Sequence, residues 1–498
     1  MALITLAVFG LIIIGLAAYG YKVSAKTAED YMLGGRTIGV VVMFFFVLFA
    51  VSSSWTFYAF PGVLYLHGPG YVFFIWGSVV GFAGLYMFLG PRLWAISRIN
   101  GYLSPIEVLS ERYESKALRL LLSVSILAFI IPYIGIQPLG VGAGFEALTG
   151  MPAIWGALYT AVLLVVIVVL GGMRIVAWVN IFLGSVYVLA LLGSLVWIVG
   201  ARLPGGLPEA ASWLAANSPE RLTIPGPLGE YTRVLVGGTF VVGLIAFSWP
   251  HITISAMTAR DKGLFKWFPL LIFVFGGLFF YIIPFVWGSL VAPVLKPGIT
   301  SVFEADRVVQ TIITESLPAW FGIFVVMGVV AAAVSTAAVQ LMTSSVIVAR
   351  DLVQGIFKPD ATDKQITAWA RWSVLVIIIA SIGFSIWNTQ AIALYLTDVS
   401  IPGFAQWAPA LVGGLLWKRG TRQGALAGTL IGVVYLVLGL LITPGGERPL
   451  LFNLHPVVPT LFVNTIVYIV VSKLTPAPSE EIQEQFFNEV DDFLRSES

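Results

Sequence analysis

Residues 331–351 carry the side chains whose spacing best suits ion binding. The run AAAVSTAAVQLMTSSVIVARD is long and apolar enough to cross a membrane as a helix, yet it holds hydroxyls in place of further Leu and Ile. Ala332, Ser335 and Thr336 stand at i, i+3 and i+4, so they share one helical face. A small residue beside two adjacent hydroxyls suits a hard monovalent cation bound without carboxylates. Ordinary packing between transmembrane helices is the alternative use of these residues.

Two other apolar runs are interrupted near their middle by residues that break a helix. The first contains three serines at 52–54 and then Pro61 and Gly62, and the second contains SWPH at 248–251. A break frees backbone carbonyls for a cation and points half-helix N-termini at an anionic group. Two breaks in corresponding positions favour a binding site over two simple proline kinks, and they are typical of secondary transporters.

Side chains able to hold a small carboxylate occur at these two breaks and on the fourth apolar segment, at a depth where an isolated charge is expensive. The candidates are hydroxyl, amide, aromatic and imidazole groups: Ser53, Ser54, Thr56, Tyr133, Gln137, Trp249 and His251. A protonated His251 pairs with a carboxylate near neutral pH, and Trp249 can cover an aliphatic solute body. The alternatives are hydrogen bonds from Tyr133 and Gln137 to neighbouring helices, and a neutral His251 that caps a carbonyl freed by Pro250.

Composition assigns the chain to the integral membrane proteins. Of its 498 residues 58% are hydrophobic and only 10% are charged, whereas soluble domains carry about 25% charged residues. A net charge of +2 without a basic, aromatic-rich patch excludes a nucleic-acid partner. The absence of Cys excludes thiol catalysis and disulfides. No paired carboxylates and no H-E-x-x-H motif stand at membrane depth, so we expect no enzyme.

Apolar segments of membrane-spanning length predict an all-α membrane protein with thirteen transmembrane helices. The predicted spans are 2–21, 38–65, 71–95, 118–147, 153–171, 175–200, 233–258, 267–292, 318–349, 367–388, 391–417, 421–443 and 455–473. Spans 2 and 7 contain the breaks, and each opens a set of five spans. Because each set has an odd number of spans, the two sets have opposite orientations and form an inverted repeat.

Charge in the loops predicts the orientation and the domain limits. Most of the 27 Lys and Arg residues fall on one side if the loop 22–37 is cytoplasmic, which places the N-terminus outside and the C-terminus inside. Residues 1–475 form one transporter domain, with repeat one at about 38–200 and repeat two at about 233–417. Residues 476–498 form an acidic cytoplasmic tail with helical apolar spacing.

The sequence resembles the sodium:solute symporter family, whose members have a LeuT-type core. The resemblance runs from AEDYMLGGRTIG (28–39) to LLWKRGTRQG (415–424). Its most specific parts are DYMLGGR (30–36), the loop that begins GPRLWAISRING (90–115) and the hydroxyl-bearing run described above.

In this family a conserved sodium site joins carbonyls at the break of one core helix to hydroxyls on another. The resemblance places these ligands at Phe49, Ser52, Ala332, Ser335 and Thr336, and so implies one bound Na⁺.

The chain departs from the family pattern at two positions. Many members have a Trp-Thr-Asp run where this chain has Trp178, Val179 and Asn180, and the lost carboxylate puts a second sodium site in doubt. Val51 stands where the proline-transporting branch has Asp.

Within the family, the stretches 54–70, 131–140 and 247–261 are most similar to the bacterial monocarboxylate permeases. The resemblance implies a secondary active symporter that couples inward sodium movement to uptake of a small organic solute by alternating access, with a lactate- or pyruvate-type monocarboxylate expected. Sodium-coupled transport of proline or another small amino acid or carboxylate is the alternative, and a transporter-like solute sensor is the alternative from another class. We expect a plasma-membrane location, contact with lipid and no obligate protein partner.

Overall fold

The computed structural model describes residues 1–23, 27–229, 232–387, 395–443 and 447–497. Over these ranges the chain is helical, as predicted, and the one isolated β-bridge described joins Ile38 to Ala259. The predicted span ends at 388 and 391, and the predicted tail end at 498, lie outside the described residues.

Ten helices in the described ranges are long and apolar enough to cross a membrane, and a bent pair raises the number to eleven. The ten are Ala2–Lys22, Trp55–Asn100, Lys116–Thr149, Ile154–Arg202, Gly263–Leu295, Ala319–Phe357, Asp363–Trp387, Leu396–Leu416, Arg422–Leu441 and Val457–Leu474. The bent pair joins Leu235–Ser248 to Pro250–Thr258 at an angle of 45°.

Two of the ten helices are too long for a single crossing. Trp55–Asn100 has 46 residues and Ile154–Arg202 has 49, so each is about 70 Å long at 1.5 Å per residue, against about 30 Å of hydrocarbon. Each contains a glycine in the left-handed region, Gly68 with φ 73° and Gly172 with φ 60°. Only glycine adopts this conformation without strain, so both glycines mark points where the chain changes direction.

The two predicted breaks lie in the described structure. The first broken helix runs over Val40–Ala50, loses helical structure after Ala50 and resumes at Trp55. Pro61 and Gly62, which the sequence associated with this break, lie inside the helix Phe60–His67. In the second broken helix Trp249 is extended, with ψ 119°, because Pro250 disfavours a helical residue before it.

The helix Ala319–Val346, here called the hydroxyl helix, runs through the centre of the molecule. It is buried from Val329 to Val346 without interruption and continues as wider turns over Ile347–Phe357. Small residues let neighbouring backbones approach it closely, which is how transmembrane helices pack in the absence of a hydrophobic driving force.

Ion pairs fix the far end of the hydroxyl helix. Asp351 is fully buried, accepts a hydrogen bond from the Ser104 hydroxyl at 2.6 Å and lies 3.4 Å from the Arg119 guanidinium. Arg350 pairs with Glu107 at 2.7 Å. Separation of these partners would leave a buried charge without compensation, which is strongly destabilising. The network therefore holds the hydroxyl helix to the segment 104–119.

The helices outside the membrane-length set are short. Besides Val40–Ala50, they include Ala28–Leu33, Pro105–Arg112, Gly206–Asn217, Val302–Ala305, Val308–Ser316, Glu480–Gln483, Glu484–Asn488 and Glu489–Ser496. The last three are continuous and form the tail helix, whose apolar side chains are buried against the transporter domain. This arrangement agrees with the amphipathic pattern that predicts a helix there.

Candidate functional site

The hydroxyl helix meets the first broken helix at the predicted sodium ligands. The Ser335 hydroxyl lies 3.0 Å from the Phe49 carbonyl oxygen and 2.9 Å from the Ala332 carbonyl oxygen. The Thr336 hydroxyl lies 3.3 Å from the same Phe49 oxygen. Four of the five predicted ligands therefore converge on one point. Ser52 is also fully buried, and its hydroxyl donates to the Leu48 carbonyl at 2.7 Å.

The chemistry of this cluster suits a monovalent cation. Its oxygens are neutral carbonyls and hydroxyls, and they lie at the C-terminal end of Val40–Ala50, where the helix dipole is negative. The two hydroxyls now donate to carbonyls, but each can rotate and present a lone pair to an ion. Among the described residues, no group of three or more His, Asp or Glu side chains lies close enough together to hold a metal ion.

A third helix shapes this cluster from behind. Asn180 donates from its side-chain amide to the Ser335 carbonyl at 3.3 Å. One turn further along the same helix, Gly184 faces the Phe49 ring, and a Cβ atom there would lie 1.8 Å from it. The helix Gly171–Arg202 thus fixes both partners of the Ser335–Phe49 contact.

Most of the predicted solute side chains form a buried polar and aromatic cluster between the two breaks, here called the chamber. Trp249 and His251 stack with ring centroids 5.8 Å apart, and Tyr133 stands nearly edge-on to both, at 6.3 and 5.9 Å. The Tyr133 hydroxyl faces the side chains of Ser53 and Gln340. Side chains from both breaks therefore meet around a single tyrosine.

Several polar atoms in this chamber are buried without a hydrogen bond of standard geometry. They are Ser53 Oγ, Gln137 Nε2, Trp249 Nε1, His251 Nδ1, His251 Nε2, Gln340 Oε1 and Gln340 Nε2. Buried polar groups are normally paired, because an unpaired one carries a desolvation cost of about 1–3 kcal/mol. Such a concentration in one place indicates a position for a polar ligand.

Two predicted solute residues instead brace the first break in this structure. Ser54 donates from its backbone amide and its hydroxyl to the Gln137 side-chain oxygen, at 3.2 and 3.1 Å. The Thr56 hydroxyl accepts from the Ser53 amide and donates to the Val51 carbonyl, both at 3.3 Å. These bonds satisfy backbone groups that the break leaves without helical partners. Contact between solute and Ser54 or Thr56 stays a prediction.

Gln340 and Asn180 were not among the predicted ligands. Gln340 lies four residues after Thr336 on the hydroxyl helix, so the i, i+4 rule that groups the hydroxyls would also have included it. Asn180 attracts notice in the sequence only as a missing carboxylate. Its contact with Ser335 joins residues 155 positions apart, which no local spacing reveals.

A second polar cluster lies at the end of the membrane domain opposite the basic loops. Asp398 pairs with Arg448 at 2.7 Å and lies 3.5 Å from His455 Nε2. His455 is buried in this cluster. Burial lowers the pKa of His455 to about 4, although the Asp398 carboxylate opposes this shift. A neutral ring agrees with the 3.4 Å contact from the Val457 amide to His455 Nδ1.

This combination of two broken helices, neutral oxygens and a buried polar chamber defines a secondary transporter. A model of the sodium:solute symporter family matches residues 31–432, so the chain belongs to the sodium:solute symporter family.

Curated relatives cover nearly the whole chain. A sodium/proline symporter of Haemophilus influenzae is 25% identical over 97% of this chain and 96% of its own length. The high-affinity proline transporter PutP of Bacillus subtilis is 26% identical over 94% and 97%. A sodium/proline symporter of Staphylococcus aureus is 27% identical over 99% and 96%.

Two solved structures share the fold. A Na⁺-coupled sialic acid symporter, in its substrate-bound outward-open state, superposes with a TM-score of 0.80 at 17% identity and covers 96% of this chain and 99% of its own. A nucleobase-cation-symport-1 family transporter in a closed conformation gives a TM-score of 0.56 at 15% identity, with 93% and 98% covered. The fold is therefore the LeuT-type core that the resemblance implied.

Proposed function

We propose that this protein is a sodium-coupled symporter that takes up a small zwitterionic amino acid, with proline as the first solute to test. The observation that carries the proposal is the convergence of the Ser335 and Thr336 hydroxyls on the Phe49 carbonyl at a helix break. Two residues with unpaired polar atoms of the chamber adjoin the same ligands: Ser53 belongs to that break, and Gln340 follows Thr336 by one helical turn. An ion and a solute that bind there would each stabilise the same broken segment, which is the physical basis of coupling.

The chamber supports a zwitterion because it offers both donors and acceptors. Gln137 and Trp249 present unpaired donors suited to a carboxylate, and the Gln340 side-chain oxygen presents an acceptor suited to an ammonium group. The relatives named above are two sodium/proline symporters and a high-affinity proline transporter, which favours the same class. A small ring or aliphatic body would pack against Trp249 and Tyr133.

A monocarboxylate of the lactate or pyruvate type is the second candidate. His251 favours it, since both of its ring nitrogens lie unpaired in the chamber and a protonated ring would balance a carboxylate. A monocarboxylate has no ammonium group, so the Gln340 side-chain oxygen would lack a donor unless the hydroxyl of a lactate-type solute reached it. The names of the relatives do not support it, so we rank it below an amino acid.

We infer thirteen spans in two inverted repeats, at about 38–200 and 233–417. The ten membrane-length helices become twelve when the two overlong ones are divided at Gly68 and Gly172, and the bent pair is the thirteenth span. Val40–Ala50 then forms one span with the helix that begins at Trp55. The basic loops would face the cytoplasm, with the N-terminus outside and the C-terminus inside. Alternating access then follows from movement of one repeat against the other around the fixed site.

We propose one sodium ion per cycle, held by Phe49, Ser52, Ala332, Ser335 and Thr336. Asn180 provides an amide donor to Ser335 where a carboxylate would be needed to favour a further cation. The remaining hydroxyl pair on this helix, Thr343 and Ser344, donates to carbonyls of its own helix at 2.9 and 2.8 Å. Helix packing accounts for that pair.

The test is uptake of radiolabelled proline, alanine, lactate and pyruvate into proteoliposomes, with and without an inward sodium gradient. We expect the gradient to accelerate proline or alanine uptake at least about tenfold over an equal potassium gradient. Sodium-dependent lactate uptake without amino-acid uptake would move the assignment to the second candidate. Sodium-dependent solute binding without uptake of any solute would identify a sensor and contradict transport.

A further inference from the structure

The tail helix, residues 480–496, binds several separate parts of the basic face at once. Asp491 pairs with Arg92 at 2.6 Å, and Lys418 donates to the Asn488 side-chain oxygen at 2.8 Å. Lys262 donates to the Leu494 carbonyl. These three cations belong to segments that are far apart in sequence.

Apolar and cation–π contacts complete this surface. Ile482, Phe486, Phe487 and Val490 of the tail helix are buried. The Phe487 ring lies beneath three cations, at 5.2 Å from Arg112, 5.6 Å from Arg92 and 5.8 Å from Lys418. Phe493 packs on Trp94 with centroids 5.7 Å apart. An acidic helix with one apolar stripe thus covers a basic, aromatic surface of complementary charge.

The segments that the tail helix joins belong to different halves of the proposed transport unit. Arg92 and Trp94 lie on Gly90–Asn100, the end of the third span of the chain, in repeat one. Lys262 follows the second broken helix, which opens repeat two, and Lys418 follows the last helix of repeat two. A rigid helix fixed to all of these positions opposes their separation.

We propose that the tail helix is a latch on the cytoplasmic face, which must leave its surface before the transporter opens inward. The proposal rests on the transport cycle and the orientation inferred above. The ion pair that joins this helix to Arg92 is partly exposed and therefore reversible: the Arg92 and Asp491 side chains keep 15% and 44% of their exposure. Salt on the cytoplasmic side should weaken the latch, because charges at this exposure are screened.

A first experiment measures inward opening without any solute. The chain has no native cysteine, so Ser344→Cys introduces a single thiol on the hydroxyl helix, two turns from Thr336 towards the basic face. Ser344 is fully buried, and we expect a maleimide reagent to reach it from the cytoplasmic side only when that side opens. We expect Asp491→Arg, which turns the ion pair with Arg92 into a repulsion, to raise the labelling rate about three- to fivefold.

The controls separate a latch from a general loss of structure. Asp492→Arg makes the same charge change on the neighbouring residue, whose pair with Arg495 is exposed (76% and 80%) and lies within the tail helix; it should leave labelling unchanged. The combination of Arg92→Asp with Asp491→Arg restores an attractive pair and should return labelling to the original rate. Equal labelling in Asp491→Arg and Asp492→Arg would overturn the latch.

A second experiment tests the latch during transport. Arg92→Cys with Asp491→Cys is joined by a short cleavable bifunctional thiol reagent, and sodium-driven uptake is measured before and after reduction. We expect the joined protein to lose uptake at least about tenfold and to recover it on reduction. Full uptake by the joined protein would overturn the latch while transport stands. No uptake in either form would contradict the proposed transport, and the labelling experiment alone would then decide the latch.

Discussion

The Ser335 hydroxyl donates to the Phe49 carbonyl over 3.0 Å, although 286 positions separate the two residues. The contact joins the hydroxyl helix to the first broken helix at the level where the broken helix loses its regular hydrogen bonds. A cation at this point would replace a hydrogen bond by ion–oxygen contacts with both helices. The affinity for sodium should therefore depend on how closely the two helices are held together.

A substitution of Gly184 tests whether sodium affinity depends on the distance between these two helices, because it changes none of the proposed ligands. A Cβ at this position would lie 1.8 Å from the Phe49 ring, so Gly184→Ala must displace Phe49 and its carbonyl. We expect about 1–3 kcal/mol of destabilisation, typical of overpacking, and about tenfold weaker sodium activation of uptake. Gly200→Ala on the same helix meets no atom within 4 Å and serves as the matched control. Equal sodium activation in the two variants would contradict this role of Gly184.

The electrical signature of transport depends on the charge of the solute. One sodium ion with a zwitterion moves one net charge, and a membrane potential of 100 mV then adds about 2.3 kcal/mol, or about 50-fold accumulation. One sodium ion with a monoanion moves none. We expect inward currents with proline on solid-supported membranes, no current with lactate and a sodium Hill coefficient near one. A coefficient near two would indicate a second ion despite Asn180.

We expect Gln340 to contribute to solute binding and to have little effect on sodium binding. Its side-chain amide is buried without standard hydrogen bonds beside Tyr133, one helical turn from Thr336. Gln340→Leu removes the donor and the acceptor at similar volume. We expect the KM for solute to rise about tenfold, in line with about 1–2 kcal/mol for lost hydrogen bonds, with the sodium concentration for half-maximal uptake changed less than twofold. A KM unchanged by this substitution would place the solute elsewhere.

The burial of His455 leads us to expect that the free energy of unfolding depends on pH. Burial lowers its pKa to about 4 from an ordinary value near 6.5, so the unfolded chain binds more protons than the native one between these values. Stability should therefore fall as the pH drops through this window, by about 2 kcal/mol at pH 5. Thermal midpoints at pH 7 and pH 5 measure the effect, and His455→Gln should show a smaller drop than the original protein. Parallel drops in both proteins would exclude His455 as the cause.

Spacing along the sequence predicted those features of the site that depend on residues a few positions apart. Ser335 and Thr336 share a helical face, and Pro250 bends the second broken helix, because both effects act within a few residues. The position of the first break was less well predicted, since Pro61 lies within the helix that resumes at Trp55, directly after the wider turns of Trp55–Ala59. Sequence reasoning assigned Ser54 to the solute, but its partner in this structure is the Gln137 side chain 83 positions away.

Contacts between distant segments account for what the sequence did not reveal. The acidic, amphipathic character of residues 480–496 predicted a helix but not its binding surface, because Arg92, Lys262 and Lys418 come together only in the folded chain. Asn180 and Gly184 support the sodium site from a helix that carries none of its predicted ligands. Composition and periodicity thus predict the helices and the polar side chains that they carry. The residues that hold those helices against one another are known only from the folded structure.

The most direct test of the sodium site replaces both hydroxyls at once. Ser335→Ala with Thr336→Ala keeps the helix and removes two ion ligands, so sodium-dependent solute binding and uptake should fall at least about a hundredfold, at about 1.5 kcal/mol for each lost ligand. Thr343→Ala with Ser344→Ala, which removes two hydroxyls that bond only within their own helix, should retain sodium dependence. Sodium titration of solute binding to purified protein distinguishes the cases. An unchanged sodium dependence in the Ser335 and Thr336 variant would contradict the account.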